Sequence, residues 1–565
     1  MLYVRFRAPD RWKWQGGELV SWSTTIEVES LREKATSREV VVDGRRRMSL
    51  RELWEVSEGE ATLVTTASML EGLDRCRALL ENMITQRRRI YGVTTGFGPL
   101  ATQHIDPELS PLLQRNLIYH LATGVGAPYS RQQTRGILAA RLFSLSRGHS
   151  AIRVETYLFL TECLNRDVIP VVPSQGTVGA SGDLTPLAHV ALGYLGESAI
   201  WDGEVGRPGA EVLREHGLQP LELLAKEGLA LVNGTSAMTA IAARNGVQVE
   251  RALELSARLC VVYAEVLGGK REAYSAEIAA VRPHEGQLWA AARLERLAGC
   301  SERLVPIDDR ATIVVDEATG IGEGRPILQD PYTVRCAPQI LGAIRDLLAY
   351  HNQVVETELN SVTDNPLFFP DGEGGGIVRH GGNFFGLPVA LASDALHPGI
   401  IQLAVTSERR IARLCDPTLN GGLPAFLQPR RNGLQSGLMG AQVTASALVA
   451  EMRSDAGPAS IQSIPTNNNN QDVVPMGTIA ARKAQRAVAN LYPVLAIEAI
   501  ALAQAVDELS ERGESGFSDE TMALVRWIRS EVPRILNDRP LSGEICKLSR
   551  ELERRDWGAG TCLSL

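Results

Sequence analysis

The stretch GTVGASGDLTPLAH, residues 176–189, contains the tripeptide Ala180-Ser181-Gly182. The amide nitrogen of Gly182 can attack the carbonyl carbon of Ala180 if the chain bends tightly, and glycine permits that bend because it lacks a Cβ atom. Loss of water closes a five-membered ring, and loss of a second water, from Ser181, leaves an exocyclic alkene. The product is a methylidene-imidazolone, an electrophile of a kind that side chains do not provide. Taken alone, the tripeptide is more typical of a turn.

Several other short blocks share the order and spacing of one enzyme family. They are YGVTTGFG (91–98), LVNGTS (231–236), RPH (282–284), QDPYTVR (329–335), ELN (358–360), GNF (382–384) and NQD (470–472). With residues 176–189 they cover most of the chain, and together they resemble the histidine, phenylalanine and tyrosine ammonia-lyases and their aminomutase relatives. The resemblance implies a mainly α fold, in which a mixed helical and loop domain carrying the self-formed electrophile precedes a bundle of long helices.

We predict three parts along the chain. Residues 1–25 are a tryptophan-containing leader that is atypical of the family and lacks the apolar core of a secretory signal. Residues 26–235 are predicted to form the N-terminal domain, and residues 236–565 the helical bundle with the substrate-binding residues. Apolar residues at helical spacing predict long helices over 236–267, 339–359, 389–414, 438–452 and 476–509. Pro398 and Pro493 are expected to kink or break two of them.

Composition excludes several classes of function. The chain has 565 residues, of which 44% are hydrophobic and 22% are charged, as in a soluble protein with a large core. A net charge of −8 without a basic face argues against a nucleic-acid partner. The sequence contains no run of about 18 apolar residues, so we expect no membrane span. The eight cysteines form no C-x-x-C pair, so we expect no zinc site, no disulfide framework and a cytoplasmic location.

The resemblance assigns the catalytic roles. In an α-amino acid the ammonium is a poor leaving group and the β-hydrogen is a weak acid. The electrophile formed from Ala180, Ser181 and Gly182, with no external cofactor and no metal, would add to the amine and improve it as a leaving group. Tyr91 would then remove the β-proton of the substrate. It lies on a glycine-containing loop of the kind that closes over active sites. Because a tyrosine has an ordinary pKa near ~10, that role requires an environment that favours the phenolate.

The family resemblance assigns a second set of residues to contact with the substrate. Tyr332, given a catalytic role, and Arg335 lie three positions apart and would share one face of a helix that starts at Asp330-Pro331. The Arg335 guanidinium would bind the substrate carboxylate with two hydrogen bonds. The remaining assigned positions are Asn233, Gln329, Asn365 and Phe384.

Two further positions bear on which amino acid is bound. His120-Leu121 resembles the His-Leu pair of the tyrosine lyases, whereas phenylalanine lyases carry Phe-Leu and histidine lyases Ser-His. An imidazole can pair with a phenol hydroxyl, while a phenyl ring leaves that hydroxyl unpaired. Gln471 stands where the histidine lyases carry a glutamate, which argues against histidine. Non-oxidative deamination of L-tyrosine to trans-4-hydroxycinnamate and ammonia is therefore the leading interpretation.

Four alternatives stay open at this point. They are a lyase of mixed phenylalanine and tyrosine specificity, a tyrosine 2,3-aminomutase giving β-tyrosine, a histidine ammonia-lyase, and a relative without activity. The last is disfavoured because the tripeptide, Tyr91 and Arg335 are all present. The resemblance also implies a homotetramer whose subunits share active sites. Pro475 departs from the family, which more often has serine there.

Overall fold

Long helices dominate the protein, whose computed structural model describes residues 38–306, 329–372, 375–430 and 432–558. The predicted leader, residues 1–25, lies outside the described residues. The first part of the chain forms β1 (Arg38–Val42), α1 (Leu50–Glu58), β2 (Ala61–Thr65), α2 (Ala67–Thr85), α3 (Ser110–Leu121), β3 (Val125–Pro128), α4 (Arg131–Leu145), α5 (Val154–Asn165), β4 (Pro173–Gln175), α6 (Leu184–Tyr194), β5 (Ala199–Asp202), β6 (Val205–Pro208), α7 (Gly209–Glu215) and α8 (Glu227–Val232).

The second part contains the longest helices. Its elements are α9 (Ser236–Leu267), α10 (Ala276–Ala280), α11 (Glu285–Ala298), α12 (Tyr332–Arg335), α13 (Ala337–Leu359), β7 (Leu367–Pro370), β8 (Gly376–Arg379), α14 (Leu387–Cys415), α15 (Met439–Ser454), α16 (Gly477–Glu511), α17 (Asp519–Glu531) and α18 (Ser542–Arg554). The prediction of a mainly helical fold with long helices is confirmed, and α9 has the predicted bounds.

Small apolar side chains hold the long helices together. Helices α9, α13, α14 and α16 pack against one another around one apolar cluster, rich in alanine, leucine and valine. Alanines in α16 allow close approach of the neighbouring helix backbones, and most of the side chains of α16 are buried. The first turns of α9 instead belong to the apolar cluster of the N-terminal elements. Helix α9 therefore runs through both clusters and joins them.

Two helices are long and apolar enough to cross a membrane by length and composition alone. They are α14 and α16, and 67% and 83% of their most apolar windows are buried inside the protein. Burial of this extent is typical of core helices. The two internal prolines do not end these helices, since α14 continues through Pro398 and α16 through Pro493.

The strands form four two-stranded sheets in the described part of the chain. β1 and β2 are parallel, while β3–β4, β5–β6 and β7–β8 are antiparallel. The β3–β4 pair joins Val125 to Gln175 and Pro128 to Pro173. Because β4 ends at Gln175, this ribbon fixes the start of the reactive stretch, residues 176–189, at the surface of the helical body.

Candidate active site

The tripeptide Ala180-Ser181-Gly182 forms a tight turn just before α6. One backbone bridge pairs Ala180 with Gly182, and another pairs Gly182 with Gly234. Gly182 has a φ of +67°, and a Cβ atom there would lie 2.2 Å from the carbonyl carbon of Gly234. Only glycine fits at this position, both for its left-handed backbone and for its close approach to a neighbouring chain segment. The sequence-based argument about Gly182 therefore agrees with the observed turn.

Asp183 ties this turn to the long helices. Its carboxylate is buried and accepts a hydrogen bond from the Met238 amide at 2.7 Å, in the first turn of α9. It also accepts from the Thr478 hydroxyl at the start of α16. Burial raises the pKa of Asp183 to about 6. The reactive turn is thus anchored to the N-terminal ends of two core helices.

The Ser181 hydroxyl contacts Asn233, whose side-chain amide is oriented by hydrogen bonds to two further residues. The Ser181 hydroxyl donates to Asn233 Oδ1 at 2.7 Å. Asn233 Nδ2 donates to Asp364 Oδ1 at 3.0 Å and to the Asn365 carbonyl at 3.1 Å. A carboxylate and a carbonyl only accept, so this network defines which way the Asn233 amide points. A hydrogen-bond acceptor therefore faces Ser181.

The tripeptide has the features that formation of a methylidene-imidazolone requires. Ala180 and Gly182 are buried, and the Ser181 hydroxyl is directed at a single acceptor. The bend brings the first and third residues together, and the third is a glycine that no other residue could replace. These residues fit the group that the family resemblance implies.

A cavity of about 260 Å³ opens in front of Ser181. Seven of the predicted site residues line it: Tyr91, Ala180, Ser181, Asn233, Asn365, Phe384 and Gln471. Gly182 follows Ser181 in the turn and does not itself line the cavity. A larger cavity of about 350 Å³, between α14, α15 and α16, contains none of the predicted residues. We place the candidate site at the smaller cavity because the reactive tripeptide lines it.

The cavity also contains residues that the sequence analysis missed. They are Gly98, Leu229, Phe385, Asn467, Asn470, Asp472 and Val473. Five of them belong to quoted blocks or directly follow one, so block membership was an available signal. Nothing in the local sequence distinguishes Leu229, which comes from the short helix α8.

Tyr91 lines the same cavity. Its Oη accepts a hydrogen bond from the Gly98 amide at 2.8 Å. Its ring packs edge-on against Phe97, with ring centroids 6.2 Å apart. An N–H donor at Oη stabilises negative charge on that oxygen, which is what a tyrosine acting as a base requires. The loop from Tyr91 to Gly98 therefore supplies its own amide to the hydroxyl.

Gln471 is held by a compact asparagine-rich turn. Asn467, Asn468 and Asn469 all have left-handed backbones, a conformation that asparagine tolerates better than most residues. The Thr466 hydroxyl donates to Gln471 Oε1 at 2.7 Å. The side chain at the cavity is thus a neutral amide whose oxygen is already occupied, and its NH₂ group remains the donor.

Three predicted residues lie outside the cavity in the single chain. Tyr332 and Arg335 share a face of α12, with the guanidinium 5.0 Å from the ring centroid, but Tyr332 is 67% exposed. Gln329 is also exposed. The predicted helix start is wrong in one respect: Pro331 is the N-cap, and Asp330 Oδ2 instead accepts from the Lys270 amide at 2.5 Å. That bond ties Asp330 to the end of α9, which outweighs a local cap.

His120 and Leu121 also lie outside the lining of the cavity. They end helix α3, where His120 is exposed and Leu121 is half-buried. His120 Nδ1 lies 3.1 Å from the Asn116 carbonyl oxygen. Since a carbonyl only accepts, Nδ1 carries the proton, and Nε2 of the neutral ring is an acceptor. No metal-binding cluster of histidine, cysteine and acidic residues occurs among the described residues.

Comparisons with known proteins show the family of this chain. Residues 48–530 match the family model described as aromatic amino acid lyase. The tyrosine ammonia-lyase of Cereibacter sphaeroides is 46% identical, over 90% of this chain and 96% of that protein. The histidine ammonia-lyase of Symbiobacterium thermophilum is 43% identical, over 88% and 94%. The crystal structure of a tyrosine aminomutase from Streptomyces globisporus superposes with a TM-score of 0.85 at 37% identity, covering 93% and 98%. The chain that builds this cavity around Ala180-Ser181-Gly182 belongs to the aromatic amino acid lyase family and is an ammonia-lyase.

Proposed function

We propose that this enzyme deaminates L-tyrosine to trans-4-hydroxycinnamate and ammonia. The observation that carries the proposal is the cavity in which Ser181, Tyr91 and the neutral amide of Gln471 meet. A second support is the 46% identity to a tyrosine ammonia-lyase. Gln471 cannot supply the carboxylate that the histidine lyases carry at this position.

The roles of the chain's own residues follow from the site. The methylidene-imidazolone, once formed, supplies the electrophile that makes the amine a better leaving group. Tyr91 removes the β-proton, and the Gly98 amide stabilises the phenolate that does so. Phe384 and Leu229 contribute apolar wall, which excludes water from the reacting carbons. Because Asn233 Nδ2 is occupied by Asp364, its oxygen is the atom directed at the reacting centre.

His120 is proposed to recognise the phenol of the substrate. Its Nδ1 proton is directed to the Asn116 carbonyl, so the exposed Nε2 can accept a hydrogen bond from a phenol hydroxyl. A phenyl ring offers no such donor. Movement of α3, or closure of the neighbouring Tyr91 loop over the substrate, would have to bring Nε2 to the bound ring.

Replacement of His120 by phenylalanine tests this assignment. We expect His120→Phe to lower kcat/KM for tyrosine relative to phenylalanine by about 10- to 150-fold, the value of one hydrogen bond to a buried hydroxyl. The measurement is kcat/KM for tyrosine, phenylalanine and histidine with both proteins. An unchanged tyrosine-to-phenylalanine ratio would show that His120 does not contact the ring, and a wild type that prefers histidine would overturn the substrate.

An aminomutase is the second candidate, supported by the similarity to the tyrosine aminomutase structure. Both reactions use the same electrophile, and they differ in whether the amine returns to the β-carbon. Product analysis separates them: incubation with L-tyrosine should give 4-hydroxycinnamate and free ammonia in equal amounts. Accumulation of β-tyrosine as the main product would assign the mutase activity instead, and equal rates with phenylalanine would assign mixed specificity.

We also propose a homotetramer with shared active sites. Tyr332 is exposed, Arg335 beside it is half-buried, and neither lines the cavity of its own chain, which supports their contribution to the cavity of a neighbour. The small molecule that binds is an aromatic amino acid. The seven cysteines of the described residues are free, which supports the expected cytoplasmic location.

Mixed tetramers test the sharing of sites. Tyr91→Phe and Arg335→Met should each be nearly inactive alone, yet co-expression should restore activity in about one site in four by random assembly. The restored sites take Tyr91 from one variant chain and Arg335 from the other. Activity should be measured on co-purified mixtures and on the two variants mixed after separate assembly. No recovery in the co-expressed sample, or full activity from a monomer on a sizing column, would contradict the arrangement.

A further inference from the structure

A buried ion pair lies directly behind the Ser181–Asn233 contact. Lys226 Nζ and Asp364 Oδ2 are 2.7 Å apart, and neither side chain has any exposed surface. The other carboxylate oxygen, Oδ1, accepts from Asn233 Nδ2 at 3.0 Å and from the Asn365 amide at 2.6 Å. The contacts therefore form a continuous chain from Lys226 through Asp364 and Asn233 to the Ser181 hydroxyl.

Burial of this ion pair is costly in free energy if its only role is to fill the interior. Burying two charges costs free energy that their attraction does not always return, and apolar residues of similar size often replace such pairs without loss. Lys226 also has a left-handed backbone with a φ of 72° just before α8, which lysine rarely adopts. Stability alone does not account for a strained lysine and a carboxylate at this depth. The pair does, however, place the Asp364 carboxylate against the Asn233 side chain.

The Asp364 carboxylate, together with the Asn365 carbonyl, determines how the Asn233 amide is oriented. An ionised carboxylate only accepts hydrogen bonds, so it requires the NH₂ group of Asn233 on its side. Lys226 donates to the other carboxylate oxygen, Oδ2. The amide oxygen of Asn233 is then the atom left to face Ser181, and it accepts from that hydroxyl at 2.7 Å. A flipped amide would bring two acceptors together at Asp364.

We propose that the Lys226–Asp364 pair positions Asn233 for self-processing of the Ala180-Ser181-Gly182 turn. Both are positioning residues: they act on Ser181 through the Asn233 amide. The inference rests on the proposed function, because it presumes that the turn becomes the electrophile. Its consequence is that loss of the pair leaves unprocessed chains, even where the fold persists.

The processing itself is balanced as two dehydrations. First, the Gly182 nitrogen bonds to the Ala180 carbonyl carbon, and the carbonyl oxygen leaves as water with the protons of the Gly182 and Ser181 amides as a C=N bond forms. Second, the Cα proton and the hydroxyl of Ser181 leave as water, and a Cα=Cβ bond remains. No oxidant or other reagent is needed. A fixed acceptor at the Ser181 hydroxyl holds the oxygen in one orientation through both steps.

Intact mass gives a direct readout, since a processed chain is lighter than its sequence by two waters. We would compare Asp364→Asn, whose amide no longer requires the NH₂ group of Asn233 on its side, with the double variant Lys226→Met/Asp364→Leu, which removes both charges together. The matched control is Glu498→Gln, which breaks the equally buried Arg410–Glu498 pair. Glu498 lies about 30 Å along α16 from Gly477, at 1.5 Å per residue. Circular dichroism and thermal unfolding report whether each chain is folded.

We expect wild type and Glu498→Gln to lack two waters, and most chains of the two test variants to keep them while remaining folded. Test variants processed to the wild-type extent would overturn the proposal. Failure of both to fold while Glu498→Gln folds would also overturn it, because the pair would then serve stability. A wild-type chain of full mass would instead refute the electrophile, and with it the proposed function.

Discussion

Ser181→Ala is expected to lower turnover by several orders of magnitude while leaving the fold intact. The Ser181 hydroxyl is the group whose loss creates the alkene, and no other side chain offers a comparable electrophile. Structurally, the change removes one hydrogen bond, to Asn233 Oδ1, next to the cavity where water can replace it. The free energy of unfolding should therefore fall by only about 1 kcal/mol. Activity with tyrosine, unfolding temperature and intact mass check the three expectations.

A hydroxyl in the same stretch provides the control. Thr177 Oγ1 accepts from the Gly179 amide at 3.2 Å and donates to the Gly182 carbonyl at 3.4 Å, so Thr177→Val removes hydroxyl contacts of the same turn and leaves the Ser181 hydroxyl in place. That variant should retain activity to within about tenfold, which corresponds to about 1.4 kcal/mol. Borohydride should inactivate wild type and Thr177→Val alike. Near-normal turnover by Ser181→Ala would show that the reaction does not depend on this tripeptide.

Tyr91→Phe is expected to lower kcat by about 10²–10⁴, the usual effect of losing a general base. The ring and its edge-on packing against Phe97 are kept, and only the hydrogen bond from the Gly98 amide is lost. Folding and processing should persist, so the purified chain should still lack two waters. This separates Tyr91→Phe from Ser181→Ala, in which both turnover and processing fail.

Rate measurements with tyrosine deuterated at the β-carbon sharpen this test. If Tyr91 removes the β-proton, any residual activity of Tyr91→Phe should show a larger isotope effect than wild type, because proton removal becomes the slowest step. The matched variant Phe97→Leu disturbs the ring packing and keeps the hydroxyl. Turnover by Tyr91→Phe within a few-fold of wild type would assign proton removal to another group.

Sequence alone determined those features that depend on local geometry. The bend at Gly182 was predictable because a missing Cβ atom is a property of one residue, and the structure shows that no side chain fits there. The bounds of α9, Ser236–Leu267, followed from apolar spacing, which repeats with every turn of a helix. The mainly helical fold follows from the same local signal.

Only the tertiary structure decided which distant residues meet. Asn233 and Asp364 are 131 positions apart and share a hydrogen bond, and nothing in either neighbourhood predicts that pairing. The resemblance assigned Arg335 and His120 to the substrate, yet the single chain holds both outside the lining of the cavity. Their elements pack on other surfaces, and helix packing rather than sequence spacing sets where those surfaces lie. Local bends and helices are encoded within a few residues, whereas the cavity depends on how the whole set of helices packs.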